Sequence, residues 1–488
     1  MDSSRGFSKG QMQAAHRHCQ RPRRPYTGRV SKRLFITLAT VALALLLFWG
    51  WRERPSTRAL VLTALLEHAV TEPGLEGAAI GLCVLDANGT LQAAVNADTA
   101  FIPASSLKTV TTATALEVLG PDFRAETRLL AKAPPQEGVL EGDLVLRGGG
   151  DPLLSLSDLA AWAAELQRQG LRRIHGRVLG DGSLFTGSLY DDHWSWGDIG
   201  NGYGSPVAGL NLEHNRYSAV FAPGAAEGQP AQLVEIVPEV PGITWINEVR
   251  TGAPESGDGV MIHGGERTAR LHLRGTVPAD RPQFRVSGAV PDPERFAAHH
   301  LRAALLAAGI EVTGAAGTAE SPLAEDAHVL HRHASPPLRE WVARIHATSD
   351  NHETECLFRL LGLQDGQSPE QVVREHWLGR GLEFRGLRLE DGCGLARADG
   401  IRPRDLAELQ RLAASGPQGE VYRTSLVALR DGAVLGKGGA MSGVRSLTGL
   451  ARSASGETFF FALIVNHASS GAAATALREA VLDEILTW

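Results

Sequence analysis

Ser105 and Lys108 stand three positions apart in the segment Phe101-Ile102-Pro103-Ala104-Ser105-Ser106-Leu107-Lys108. A serine hydroxyl is a weak nucleophile near neutral pH unless a base lies within hydrogen-bond reach. Apolar spacing predicts a helix over 107–119, and residues i and i+3 of a helix share a face. Ser105 and Lys108 are therefore expected on one side of a first helical turn. Burial of that lysine would disfavour its charged form, leaving an amine able to accept the serine proton. The backbone N–H groups of the helix start favour a developing anion. The bland reading is a serine that only caps a helix, and four residues alone do not separate the two.

Two further segments supply what the pair lacks. Ser349-Asp350-Asn351 falls between helices predicted at 341–347 and 353–363. A hydroxyl and an amide two positions apart on such a turn can relay a proton and hold a substrate carbonyl. Lys437-Gly438-Gly439-Ala440 is Gly-rich and precedes a strand-like run at 444–450. A lysine beside bare backbone offers positive charge and N–H donors to an acyl substrate. Read singly, these are a turn and a bend. Their order, S-x-x-K then S-D-N then K-x-G, is the three-motif arrangement of active-serine penicillin-recognising enzymes.

From these residues the chain resembles the low-molecular-mass class C penicillin-binding proteins, the D-alanyl-D-alanine carboxypeptidase/endopeptidase group called peptidase family S13. The likeness also runs through Gly142–Pro152, Trp194–Asp198, Tyr203–Pro206, Leu210–Leu212 with Asn215, Asp391–Leu395 and Gly443–Gly449, within about residues 60–488. It implies an α+β fold: a β-lactamase/transpeptidase-like catalytic domain, an antiparallel sheet flanked by helices. Two inserted, largely β, domains would fill the long interval between Ser105 and Ser349. The expected boundaries are 56–122 with 291–488 for the catalytic domain, 123–208 with 282–290 for the first insert, and 209–281 for the second.

The resemblance implies roles residue by residue. Ser105 is acylated and Lys108 deprotonates it. Ser349 passes the proton to the leaving D-alanine, Asn351 holds the acyl-side amide, and Lys437 supplies positive charge. The backbone N–H groups of Ser105 and Ala440 form the oxyanion hole, and Gly438, Gly439 and Asp350 complete the expected substrate-binding set. Peptidoglycan stem peptides and β-lactams are the implied partners, with no metal and no cofactor. Two departures stand out. The family's Lys-Thr-Gly has Gly438 here, removing a hydroxyl that helps bind a terminal carboxylate; Ser442 and Ser446 are candidates to replace it. The family's Asp-Gly-Ser-Gly-Leu-Ser reads Asp391-Gly392-Cys393-Gly394-Leu395-Ala396. Those changes keep open a catalytically weakened wall-binding module; a β-lactamase-type hydrolase on the same fold is the other alternative. His346 and His352, beside the S-D-N turn, are read as packing residues because Lys108 already supplies a base. His331 and His333 have no third metal ligand in view.

Positioning such a site needs a core, and 488 residues with 43% hydrophobic and 21% charged composition are ample for one. Residues 1–33 hold nine Lys or Arg against the single acid Asp2, whereas the whole chain has net charge −6. The acidic remainder argues against nucleic acid as a partner. An uncharged apolar run at 34–51 follows the basic block directly. Its length suits a transmembrane anchor, and the charge order puts the N-terminus in the cytoplasm. The expected location is the inner (cytoplasmic) membrane, single-pass, with the catalytic part in the periplasm; cleavage of the run would leave a periplasmic protein. Of Cys19, Cys83, Cys356 and Cys393, the last three could provide one disulfide. Nothing in the sequence sets the oligomeric state.

Overall fold

The stretch Phe459-Phe460-Phe461-Ala462-Leu463-Ile464-Val465 is apolar throughout, the pattern of a short strand covered on both faces. In the computed structural model, which describes residues 56–324, 326–363 and 366–488, it lies inside a six-stranded sheet. The order is Val427–Leu429, Val434–Met441, Val444–Arg452, Thr458–Asn466, Ala79–Asp86, Leu91–Val95. Every pairing in it is antiparallel. Successive side chains of a strand point to opposite faces, so this one strand fastens two layers. Phe459, Phe461, Leu463 and Val465 pack with Leu62 and Leu66 of the helix Thr57–Ala69 and with Leu477, Val481 and Ile485 of Gly471–Thr487. Phe460, Ala462 and Ile464 pack instead with Val110, Leu357 and Leu406, from helices Lys108–Val118, Asn351–Leu361 and Pro403–Ser415. At about 1.5–3 kcal/mol per fully buried large apolar side chain, this alternation holds helices to both faces. The site motifs sit on the second of those faces.

A separate core is built from the chain between the first and second motifs. A mixed five-stranded sheet (Ala316–Thr318, Val178–Asp181, Leu144–Arg147, Glu126–Ala131, His328–Ala334) accompanies three short sheets. Helices Leu156–Arg168 and Pro293–Ala307 share a hydrophobic cluster with these strands through Leu159, Trp162, Phe296 and Leu301. Ser155 starts the first helix with a reciprocal capping box to Asp158. Residues 293–334 thus pack with the strands of 126–181, although the sequence boundary at 291 grouped them with the catalytic part.

Three sequence expectations change. The nucleophile does not open an α-helix: Ala104–Leu107 is a 3₁₀ turn, and the α-helix begins at Lys108. The Lys437-Gly438-Gly439-Ala440 segment is no bend but the body of the strand Val434–Met441. Cys83, Cys356 and Cys393 are buried and unbridged. The expected anchor at 34–51 lies outside the described residues, among which no helix is long and apolar enough to cross a membrane.

Candidate active site

The tight turn carrying Ser105 is held from three sides. Asn466, at the end of the central strand, accepts from Ile102 N (2.9 Å) and donates to Ile102 O (3.0 Å). Ser106 and Ser446 both donate to Pro103 O, at 2.8 and 2.6 Å. Ala104 adopts a left-handed φ of 49°, sparsely populated by non-glycine residues. On one flank runs the loop after Asp391, where a Cβ on Gly394 would stand 2.0 Å from Ala104 O. On the other runs the strand with Lys437, where a Cβ on Gly439 would stand 2.8 Å from Ser105 N. Both glycines permit a close approach that any side chain would prevent.

Lys108, fully buried, points back at this turn. Its Nζ lies 3.1 Å from Ser105 Oγ, 2.6 Å from Asn351 Oδ1 and 2.6 Å from the Cys393 carbonyl oxygen. The Asn351 amide orientation is set by its Nδ2, which donates to Tyr203 O at 2.9 Å. Two of the three partners are therefore acceptors only. A neutral amine has two N–H groups and one lone pair. With the N–H groups spent on Asn351 and Cys393, the lone pair is left for the Ser105 hydroxyl. Burial drives the Lys108 pKa down, while Cys393, Asp391, Asp350 and, least of the four, Glu355 pull it back. In that neutral form Lys108 is placed to accept a proton from Ser105.

Across the cleft, Lys437 Nζ donates to Ser349 Oγ at 2.7 Å and to Gly438 O at 2.7 Å. Burial, and then repulsion from Lys108, bring its pKa down to about 7. Ser349 closes the helix Leu338–Thr348 in a left-handed conformation with φ 59°, and Asp350 caps the next helix by accepting from Glu353 N at 3.0 Å. That sharp corner turns Ser349 and Asn351 toward the cleft. The cleft, about 910 Å³, is lined by Ser105, Ser349, Asn351, Lys437 and residues 438–440, and extends to Tyr203, Asp198 and Arg397.

Asp350 is not a substrate contact, a correction to the sequence expectation. Arg216 grips both its oxygens, at 2.7 and 3.2 Å. Burial opposes its ionisation, yet the Arg216 guanidinium overrides this and holds the carboxyl below its ordinary range. Its work is to fix the corner. Ser446 is also spent elsewhere, buried on Pro103 O, so it does not replace the hydroxyl missing at 438; Ser442 is exposed and lines the cleft. His346 is buried 2.9 Å from Thr112 Oγ1 and 3.0 Å from Ser425 Oγ, its pKa brought down by burial to about 3. His352 is buried against Asn211 and Asn215. Both are buried and held by polar neighbours, and His346 also borders the cleft.

Asp391 organises the loop behind Lys108. It accepts from the backbone N–H of Cys393, Gly394, Leu395 and Ala396, at 2.6–3.0 Å. Trp194 Nε1 adds a bond at 2.7 Å and the Cys393 thiol one at 3.3 Å. This cage aims the Cys393 carbonyl at Lys108 whatever side chain residue 393 carries, so serine and cysteine are interchangeable in that respect. Two clusters bring metal-ligating atoms together among the described residues: His214, Asp350 and Glu353, and Glu355, Asp391 and Cys393. Neither is a ready metal site. Arg216 and Arg344 already pair with the acids of the first, and amide donors occupy Asp391 in the second. His331 and His333 instead flank the Trp162 ring at 5.1 Å each.

Sequence reasoning missed Arg216, Asn466 and Glu355. Glu355 had a signal, since it lies one helical turn beyond Asn351; the other two had none, because their partners are remote in sequence.

A serine with a buried lysine in hydrogen-bond reach, a second serine–lysine pair opposite and a bare strand edge, on a mixed α/β fold with several sheets, fit an active-serine acyl-transferring enzyme of the penicillin-recognising class. Over residues 62–487 the chain matches the D-Ala-D-Ala carboxypeptidase 3 (S13) family, and it belongs to that family. It is 30% identical to a D-alanyl-D-alanine carboxypeptidase of Actinomadura sp. (strain R39), over 94% of this chain and 91% of that one. It is 28% identical to the D-alanyl-D-alanine carboxypeptidase DacB of Haemophilus influenzae, over 81% and 87% of the two chains. In fold it is similar to the crystal structure of penicillin-binding protein 4 (dacB) from Haemophilus influenzae, with TM-score 0.77, 23% identity and coverage of 88% and 99%.

Proposed function

We propose that the chain is a serine-type D-Ala-D-Ala carboxypeptidase that trims peptidoglycan stem peptides through an acyl-enzyme on Ser105. The carrying observation is the buried Lys108 Nζ, 3.1 Å from Ser105 Oγ and 2.6 Å from each of two fixed acceptors, Asn351 Oδ1 and Cys393 O; in its neutral form the two N–H groups go to those acceptors and the lone pair to the serine. In the proposed reaction Ser105 Oγ attacks the carbonyl carbon of the D-Ala-D-Ala bond while its proton passes to Lys108. The backbone N–H groups of Ser105 and Ala440 take the negative oxygen. Ser349 hands a proton to the departing amine as the C–N bond breaks and takes one from Lys437, to which it is bonded. Water then attacks the ester, its proton returning to Lys437 by way of Ser349, while Lys108 gives its proton back to Ser105 Oγ as the ester bond breaks.

The same chemistry extends to D-Ala cross-links, making DD-endopeptidase action a second activity of this cleft, and to β-lactams, whose strained amide acylates Ser105. The run at 34–51 would tether the chain to the cytoplasmic membrane with the site in the periplasm. Residues 123–208 with 282–290, and 209–281, are read as two inserted domains, with 293–334 packing on the first; the first carries Trp194 and Tyr203, and the second Arg216, to the site.

The test is to incubate the full chain with benzylpenicillin and map the adduct by mass spectrometry, and in parallel to assay D-alanine release from a stem pentapeptide. A penicilloyl group on the peptide holding Ser105, together with D-alanine release, is expected. Labelling with no D-alanine release would favour the weakened wall-binding module. Rapid loss of the adduct with free penicilloic acid accumulating would favour a β-lactamase. No label and no release would sink the enzyme.

Gly438 carries a separate prediction. A Cβ there meets only Ser446 O at 3.7 Å and Leu447 Cδ1 at 4.0 Å, ordinary contact. Gly438→Thr should therefore fold normally and restore a hydroxyl to the cleft. One hydrogen bond to a carboxylate is worth about 1.5–3 kcal/mol, roughly ten- to a hundredfold. kcat/KM should rise by that order on peptides ending in a free carboxylate, and not on the same peptides amidated. Equal gains on both would show that the hydroxyl does not meet the carboxylate.

A further inference from the structure

Glu355 belongs to none of the three motifs, yet it closes a ring around the base. It lies one turn beyond Asn351 on the helix Asn351–Leu361 and is 4% exposed. Its Oε2 accepts from Gly392 N at 2.8 Å. The Gly392 carbonyl in turn accepts from Thr111 Oγ1 at 2.6 Å, and the next carbonyl, of Cys393, accepts from Lys108 Nζ. One helix thus holds Lys108 twice, directly through Asn351 and by way of the loop through Glu355. Glu355 also reaches a second cavity, about 410 Å³, that shares no lining residue with the substrate cleft. Asp191, Glu390 and Arg359 are among its walls.

We propose that Glu355 is a positioning residue that governs the proton on Lys108: its carboxyl holds the Gly392–Cys393 turn against the base, and it gains or loses its own proton through the second cavity, away from bound substrate. The inference rests on the reading of Lys108 as the base. The surrounding charges support it. Carboxyl oxygens of Glu355 and Asp391 and the Cys393 sulfur all lie within 4.8 Å of one another, and all three residues are buried. Two buried carboxyls so close resist double ionisation, and Asp391 has donors on both oxygens. Against Glu355 stand Arg359 on its own helix, with Nε at 3.6 Å, Asp391 and Cys393 on the loop, Asp191 from the remote core, and Lys108. Burial, with Asp391 adding, pushes the Glu355 pKa up to about 7. An ionised Glu355 stabilises the charged form of Lys108; a protonated one releases that hold. The two groups therefore oppose each other. As the pH rises and Lys108 tends to lose its proton, Glu355 ionises and retains it.

The experiment is the pH dependence of acylation of the full chain by a fluorescent penicillin, comparing wild type, Glu355→Gln and Glu355→Asp. Gln keeps an acceptor for Gly392 N and loses the charge. Its acid-limb midpoint should fall by about 0.5–1 pH unit, with a plateau within about threefold of wild type. Asp keeps the charge and loses the reach. Its midpoint should stay within about 0.3 unit of wild type while the plateau drops about tenfold. A Gln variant with an unmoved midpoint, or slowed equally at every pH, would overturn the proposal. So would an Asp variant that matches wild type in both quantities, which keeps the test usable should the Gln variant fail to fold. Failure of wild type to label would instead refute the acyl-enzyme reading and leave Glu355 without a reaction to control.

Discussion

Lys108→Met is expected to slow acylation of Ser105 by about 10³–10⁴-fold while leaving a folded protein. The methionine side chain is similar in length and apolar, so it fills the space of a fully buried lysine and removes a buried polar group. Against that, Asn351 Oδ1 and the Cys393 carbonyl each lose a donor at 2.6 Å, costing about 1–3 kcal/mol apiece. Together these limit the stability loss to about 2–6 kcal/mol, comparable with the ~4–5.5 kcal/mol of the rate effect, so the two must be read separately. Stopped-flow acylation with a chromogenic cephalosporin, beside a urea titration, separates the two. The discriminating readout is the double variant. Ser105→Ala removes the nucleophile, so adding Lys108→Met to it should cost nothing further, because groups acting as a unit are not additive. A Lys108→Met variant within tenfold of wild type would transfer the base role to Lys437, whose Nζ is 2.7 Å from Ser349.

The parts of this site legible in the sequence are those encoded by short local spacing. Ser105 and Lys108, three apart, do face each other, although through a 3₁₀ turn rather than the first turn of an α-helix. Spacing gave the right pairing because a 3₁₀ turn also brings i and i+3 together. Ser349 and Asn351 were legible as a corner between two amphipathic helices. Lys437 was legible as a residue type but not as a strand residue, since three glycines (436, 438 and 439) suppress the strand signal. Of these, Gly439 is needed because the strand packs edge-on against the turn carrying Ser105, and Gly436 because a Cβ there would stand 2.8 Å from Thr448 O of the neighbouring strand. What no local pattern could reveal is the remote support. Cys393 O meets Lys108 across the fold, Arg216 crosses from one core to fix Asp350 in the other, and Trp194 reaches over to Asp391. Each is a long-range contact with one partner in a loop or strand end, where type and spacing carry no information about the other.

Those contacts also explain why the departures from the family pattern are compatible with an intact base. Residue 393 acts on Lys108 through its carbonyl, which the Asp391 cage places, so a thiol in place of a hydroxyl leaves that bond alone. Residue 438 lies on the open side of its strand, opposite in direction to Lys437 and Gly439. Its side chain affects what the cleft holds rather than how Ser105 is activated. The insert-side residues differ in kind, since loss of Arg216 would leave Asp350 largely buried without its counter-charge.

The second large effect is expected at Gly439. A Cβ there would lie 2.4 Å from Ser446 Oγ, 2.8 Å from Pro103 O and 2.8 Å from Ser105 N. Two of those atoms are backbone, and Ser446 is itself buried and bonded to Pro103 O at 2.6 Å, so no flexible end can give way. Gly439→Ala must then push the strand off the nucleophile turn. That separates Ala440 N from Ser105 N, the two proposed oxyanion donors, and loss of one such donor costs about 10²–10³-fold in rate. Overpacking of this kind also destabilises by about 1–3 kcal/mol. Gly438→Ala, one residue away and making only ordinary contacts, is the matched control and should stay within about threefold of wild type. Acylation rates of the two variants decide the matter: a hundredfold gap between neighbouring alanines would follow from the direction of one Cβ, whereas equal rates would mean that strand and turn do not meet as they do here.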